Sequence, residues 1–215
     1  MAAARENPTP TLVPINLHHP GEYVELQGQR RTCGWDYTDR ALLNWRQKQE
    51  AGLKSFFWIA IPGDDEAASV IRAGHISLDA YADPPDPELA QADRSILTIQ
   101  TFFIRPEFRA LGLGRAAMDM AEAMAGREPY GSPRCKYVAV TTMSKRYFYD
   151  ATAGVEGTGL WESLGTEMPR VRAVDWYERR GYVRWKSEAR WADVARDGTE
   201  IKLVADFLRK PLGTL

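Results

Sequence analysis

Apolar positions along the chain run together, alternate, or recur every three to four residues, and each pattern predicts an element. Residues 55–61 (SFFWIAI) form a nearly continuous apolar run stopped by Pro62 and Gly63, as expected of a strand covered on both faces. Residues 70–78 alternate more clearly and predict an antiparallel partner across the acidic turn GDDEAAS; Gly74 within them permits a bulge or a close backbone approach. Residues 95–104 are rich in β-branched and aromatic side chains and end at Pro106, which has no N–H for a ladder. Leu113, Ala117, Met120, Ala121 and Met124 then recur at helical spacing, with Arg115, Asp119 and Glu122 mostly off the stripe and Gly126 as a stop. Residues 136–143 (KYVAVTTM) read as the next strand. Strand, turn, helix, strand is a βαβ unit, so its two strands are expected to be parallel with a right-handed crossover.

The rest of the chain is patterned less sharply. Pro8, Pro10, Pro14 and Pro20 predict an extended arm over residues 1–21, and the loose alternation of residues 22–31 predicts a first strand. Asp36 or Thr38 can cap a helix that carries Ala41, Leu42 and Trp45 on one side and ends near Ala51 before Gly52. Residues 80–94 hold three prolines and read as a surface loop. Residues 144–168 are long and rich in glycine, yet contain Tyr147, Phe148, Tyr149 and Trp161, which suits an inserted lid that packs. Thr166 and Pro169 start a short helix that ends at Gly181, and two alternating runs flank Asp197-Gly198 as a hairpin.

With 215 residues, 44% of them hydrophobic, residues 22–215 suit a single domain around one sizeable core. A formal net charge of −1 supplies no basic field, so nucleic acid is not an expected partner. Cys33 and Cys135 make neither a disulfide framework nor a metal cluster, and the adjacent His18 and His19 lack companion ligands, so no metal is expected. No apolar run approaches membrane-spanning length and the N-terminus lacks an apolar signal core; the expectation is a cytoplasmic protein without a membrane partner.

Candidate chemistry gathers at the turn after residues 95–104. Gly112 and Gly114, flanked by Arg109 and Arg115, open a helix whose unpaired first-turn N–H groups and positive dipole end suit a phosphate or pyrophosphate. Gly112-x-Gly114-x-x-Ala117 formally satisfies a dinucleotide fingerprint. Against that reading, seven residues separate the strand from Gly112, and the next strand ends Thr141-Thr142-Met143 without an acid for a ribose. A triphosphate loop would need Lys followed by Ser or Thr, which is absent.

A third reading takes in more residues. Ile104-x-Pro-Glu-x-Arg109-x-x-Gly112-x-Gly114 resembles the acyl-coenzyme A motif of the GCN5-related N-acetyltransferases, the GNAT superfamily, and residues 173–182 (AVDWYERRGY) are similar to its late helix and following strand. The resemblance covers residues 22–210; Arg170 stands where many members carry Asn, and residues 144–168 are longer than usual. It implies an α/β (α+β) fold: a mixed, mostly antiparallel seven-stranded sheet with a central splayed parallel pair, flanked by helices. It also implies an acyltransferase that moves an acetyl group from acetyl-CoA to a small-molecule or peptide amine by direct transfer in a ternary complex. Main-chain groups of Phe102, Phe103 and Ile104 would hold the pantetheine arm as an added strand. The turn of Arg109, Ala110, Leu111, Gly112, Leu113, Gly114 and Arg115 would hold the pyrophosphate, and Tyr177 would face the coenzyme sulfur as general acid or as a hydrogen-bond donor that orients it.

No base stands out. The strand offers Thr98 and Gln100 rather than a carboxylate, leaving His75, Asp79, Glu167 through water, or an already neutral amine. Glu25, Trp35, Asp36 and Tyr37 lie where such proteins build acceptor pockets and would suit a cationic amine. The missing carboxylate keeps a second class open, a non-catalytic acyl-CoA-binding sensor or interaction protein. A homodimer paired through edge strands near the C-terminus is compatible with the pattern.

Overall fold

The computed structural model describes residues 8–63, 70–149 and 159–213. The chain packs as two compact units, Met1–Lys136 and Tyr137–Leu215.

The first unit is built on an antiparallel sheet. β1 (Thr11–Pro14), β2 (Lys54–Pro62) and β3 (Val70–Asp79) lie side by side, and β3 then pairs with β4 (Ile96–Ile99) and β5 (Phe102–Ile104). Helices α1 (Pro20–Cys33), α2 (Asp39–Glu50) and α3 (Leu113–Ala125) complete it. The continuous apolar run of β2 is buried as expected: Phe56, Phe57, Trp58 and Ile59 are all inside. Thr38 caps α2 by accepting the Ala41 N–H, and Leu42 and Trp45 face the core. The acidic turn between β2 and β3 falls on residues 64–69, outside the described residues.

One expectation for the N-terminal part is made specific and one is corrected. Residues 11–14 form an edge strand on β2, and Ile15 and Leu17, just beyond it, are among the most buried side chains. Residues 11–17 are therefore tied down. An edge strand tolerates Pro14 because a missing N–H there interrupts no central ladder. Residues 22–31 are helical, inside α1, whose buried positions are Leu26, Gln29 and Arg30. Those three have helical spacing, but two of them are polar, so the apolar pattern that announces a helix is largely missing.

Gly74 does both things its position allowed. Ile59 lies opposite Gly74 and Ala60 opposite Arg72, so Ala73 is an extra residue and β3 bulges there. A Cβ at Gly74 would also collide with the carbonyl of Phe103. Gly74→Ala is therefore expected to lower unfolding stability by about 1–3 kcal/mol, the usual cost of overpacking, as read from a urea midpoint shift at unchanged slope.

In α3 the buried set is Leu113, Ala117, Met118, Ala121, Glu122 and Ala125, so the inward stripe is rotated from the predicted one. Met120 and Met124 are only half-buried, and the charged Glu122 is inside.

The second unit holds β6 (Tyr137–Met143), β7 (Val183–Val194) and β8 (Glu200–Pro211), with β8 between the other two and all pairings antiparallel. β7 carries two irregularities against β8, at Trp185 and Arg190. Short helices α4 (Arg146–Tyr149), α5 (Leu160–Leu164) and α6 (Ala173–Arg179) complete it. The final helix is shorter than predicted, since residues 169–172 stay outside it. Three of the four aromatic residues of the inserted segment pack: Tyr147 and Phe148 join Leu160, Ile201, Leu203 and Val204, with Trp161 against them, while Tyr149 is exposed. The Val204 N–H donates to the Tyr147 hydroxyl at 2.6 Å. Residues 150–158 of that segment lie outside the described residues. Asp206, wholly buried, accepts from Ser144 Oγ at 2.9 Å, the Lys145 N–H at 2.7 Å and Ser187 Oγ at 2.6 Å. It thereby fixes the start of α4 to β7 and β8.

Among the described residues there are eight strand segments, of which β4 and β5 are one strand interrupted at Gln100 and Thr101, so the count of seven strands is met.

Candidate functional site

β5 shows how its main chain is used. Ser77 N–H donates to the Thr101 carbonyl and Arg105 N–H to the Ala73 carbonyl, so by alternation Thr101, Phe103 and Arg105 turn their backbone groups toward β3. Phe102 and Ile104 turn theirs the other way. Of the three residues expected to hold an extended ligand arm, two have that orientation, while Phe103 is committed to His75 across the ladder.

The turn that follows is a backbone concavity. Ala110 has φ 64° and Gly112 φ 76°, both left-handed, and Gly112 is the N-cap of α3 with no side-chain hydrogen bond to the first turn. Alternating left- and right-handed residues aim successive N–H groups at one point, and the helix dipole adds positive potential there. Arg109, Ala110 and Gly112 are exposed, Leu111 and Gly114 half-buried, Leu113 buried, and Arg115 exposed. Arg109 is placed differently from a simple anion ligand: its Nε donates to the Ile104 carbonyl at 3.1 Å and its guanidinium lies 5.8 Å from the Phe103 ring centre. It joins the strand to the turn.

Behind β5 lies a polar seam that the sequence did not announce. His75, Ser77, Asp79, Lys54, Thr101, Gln29 and Arg30 are all buried. Lys54 Nζ meets Asp79 at 3.0 Å and Thr101 Oγ1 at 3.4 Å, and lies within 6 Å of the rings of Trp45, Phe56 and Tyr81. Asp79 also accepts from Ser77 Oγ at 2.7 Å and Gln100 Nε2 at 3.1 Å. Burial pushes the Lys54 ammonium down and the Asp79 carboxyl up, and their mutual attraction opposes both shifts. Breaking such a pair by removing one partner costs about 3–5 kcal/mol.

His75 faces Arg30 Nη1 at 3.5 Å and Gln29 Oε1 at 2.9 Å. Arginine only donates, so Nε2 accepts and Nδ1 carries the proton. Burial first, then the charges of Arg30 and Lys54, holds its pKa well below the ordinary histidine value. Two of the base candidates, His75 and Asp79, are thus enclosed and fully partnered, whereas Glu167 is exposed. The signal for the seam was present in hindsight, as Lys54 and Asp79 bracket the β2–β3 hairpin, but nothing in the pattern says that both face inward.

The loop between α1 and α2 is held from beneath. Arg30 Nε donates to the Trp35 carbonyl at 2.9 Å and Nη2 reaches Asp36 at 3.4 Å, with Asp36 at φ 50°. Trp35 and Tyr37 are 49% and 44% exposed, so this loop offers aromatic surface. A groove of about 770 Å³ beside it is lined by Asp36, Arg40, Trp45 and Asp83 among others. Glu25 is instead paired with Arg72 on another face.

Tyr177 lies on α6, 8% exposed, on one face with the fully buried Val174 and against the rings of Trp176 and Tyr182 at 5.1 and 5.5 Å. Burial pushes its phenol up to about 12. His19 caps α1 and His18 pairs with Glu50 at 3.0 Å; among the described residues no cluster of three or more potential metal ligands occurs. Among the described residues, no helix is long and apolar enough to cross a membrane.

No family model and no curated protein matches the sequence. Solved structures do match in shape. NAA60 of Arabidopsis thaliana, solved with a bisubstrate analogue, aligns over 95% of this chain and 100% of its own at TM-score 0.61 and 12% identity. Ard1 from Thermoplasma volcanium covers 95% and 98% at TM-score 0.52 and 16% identity. A spermidine N-acetyltransferase chimera involving Vibrio cholerae SpeG covers 94% of each chain at TM-score 0.54 and 10% identity. The chain has the fold of the GNAT acetyltransferases, a mixed α/β architecture with mostly antiparallel strands flanked by helices.

Proposed function

We propose that the protein is an N-acetyltransferase that binds acetyl-coenzyme A and passes its acetyl group directly to a primary amine. The observation that carries this reading is the junction of β5 with α3. A strand whose alternate main-chain groups point away from β3 runs into a turn with two left-handed residues and a helix start with no side-chain cap. An amide-bearing arm ending in a pyrophosphate is complementary to both halves. NAA60 has been solved with acetyl-CoA, and an aminoglycoside 6'-N-acetyltransferase of similar shape with coenzyme A, which supports the same donor here.

In this reading Phe102 and Ile104 hold the arm, residues 109–115 the pyrophosphate, and a main-chain N–H near Ile104 stabilises the oxyanion as the amine attacks the thioester carbon. The carbon–sulfur bond then breaks and the thiolate takes a proton from Tyr177, an assignment that rests on the match of residues 173–182 and on a phenol held protonated. With His75 and Asp79 enclosed, the amine enters neutral or gives its proton to solvent. The aromatic and acidic loop beside α2 suits the acceptor side.

The test is free-thiol release from acetyl-CoA across a panel of polyamines, aryl amines, aminoglycosides and peptides with free N-termini. Amine-dependent release by at least one class is expected. Coenzyme binding without release by any class would favour the non-catalytic sensor, and no binding would remove the reading.

A further inference from the structure

The break between β4 and β5 is a one-residue bulge. On β3, Ser77 to Asp79 is two steps; opposite them, Thr101, which accepts the Ser77 N–H, to Thr98, which faces Asp79, is three. An extra residue re-aims everything beyond it, because one step of register exchanges the two sides of a strand. Without it, the main-chain groups of Phe103, rather than those of Phe102 and Ile104, would turn away from β3.

The groups holding this bulge are specific: Lys54, Asp79 and Thr101 are buried and Gln100 is half-buried. Gln100 donates from Nε2 to Asp79 at 3.1 Å and to the Tyr81 carbonyl at 2.9 Å, and its Oε1 accepts the Asp83 N–H at 3.0 Å. On the other side Lys54 reaches both Asp79 and Thr101, so the pair grips the residues on either side of the irregularity. An apolar core would hold a flat strand equally well. Nothing in sheet packing by itself calls for an ammonium enclosed by three rings at this point.

We propose that the Asp79 carboxyl oxygen, charge-balanced by Lys54 and acting through Gln100, is a positioning device: it fixes the bulge and so sets which backbone groups of residues 102–104 meet the coenzyme arm. Asp79 is then a positioning residue and takes no proton from the amine. The inference rests on the coenzyme reading above, and its test separates the two.

Two neutral pairs are compared by calorimetric titration with coenzyme A. Lys54→Met with Asp79→Asn removes both charges but keeps an oxygen acceptor for Ser77 and Gln100; Lys54→Met with Asp79→Leu removes the acceptor as well. Exchange of a buried ion pair for neutral groups often leaves stability nearly unchanged, so both are expected to fold, with similar melting temperatures. The asparagine pair is expected to bind within about threefold of the parent protein and the leucine pair about tenfold or more weaker, with the KM for acetyl-CoA rising in step and that for the amine unmoved. Gln100→Ala should follow the leucine pair, and it provides the reading if either double variant fails to fold.

Equal affinity of the asparagine and leucine pairs, or parental affinity in Gln100→Ala, overturns the device. If the parent binds coenzyme A and a Gly112→Val control does not, such a result sinks the device alone. If the parent itself does not bind, device and function reading fall together.

Discussion

Gly112→Val is expected to abolish measurable coenzyme A binding while the protein remains folded. Nothing lies within 4 Å of a Cβ built at Gly112, so the substitution meets no steric obstacle inside the protein. Its effect comes from φ 76°, where a β-branched residue is a strong outlier. To relieve the strain the turn must change hand, which redirects the N–H groups of the first turn of α3 and puts a side chain where an anion would approach. Losses of 100-fold or more in affinity correspond to about 2.7 kcal/mol, within reach of several charge-assisted hydrogen bonds. Titration calorimetry with coenzyme A measures it, and circular dichroism checks the fold. Retained affinity would remove the turn from the binding site.

Tyr177→Phe is expected to lower kcat with a cognate amine by about 10²–10⁴-fold, the usual scale for a general acid, with the dissociation constant for coenzyme A changed by no more than about twofold. The split matters, because a residue that only packs beside Val174 would lose little on trading a hydroxyl for hydrogen. pH adds a second readout. With the phenol pushed up to about 12, the acid stays protonated across the neutral and mildly alkaline range, so Tyr177 contributes no fall in kcat until pH approaches that value. The same shift has a sign for stability. The raised value favours the protonated phenol in the fold, so this contribution is whole below the ordinary tyrosine pKa of about 10 and is lost as pH rises through the folded one. Unchanged turnover in the phenylalanine variant would sink the acid role.

How much of this was legible depended on whether burial and hydrophobicity agreed. β2 and β6 were readable from their mostly apolar buried runs, β3 from the apolar residues that alternate along it, and the β7–β8 hairpin from Asp197-Gly198 at its turn. Gly112 and Gly198 stand where left-handed backbone was required. α1 was misread because its inward face uses Gln29 and Arg30 to meet His75, the Arg72 carbonyl and the α1–α2 loop. β1 was missed because prolines around it suppress strand propensity, while its anchors Ile15 and Leu17 lie just past it. The turn at residues 109–115 was legible from spacing, since glycine and arginine at a helix start leave a local signature. The polar seam leaves little: Lys54 and Asp79 face each other across the β2–β3 hairpin, but nothing in the pattern turns both inward, and the bulge that brings Gln100 to them has no sequence mark.

The irregularities in β7 bear on how copies of this chain meet. β7 is twelve residues long and pairs along β8, and a straight strand of that length would be a template for another chain. The bulges at Trp185 and Arg190 break the even spacing of N–H and C=O groups that a docking strand must match. Arg184, Lys186, Glu188 and Arg190 add charge to the same stretch. A homodimer joined edge to edge along β7 would have to pair across both faults. β7 is therefore expected to be a poor template for edge pairing with a second copy.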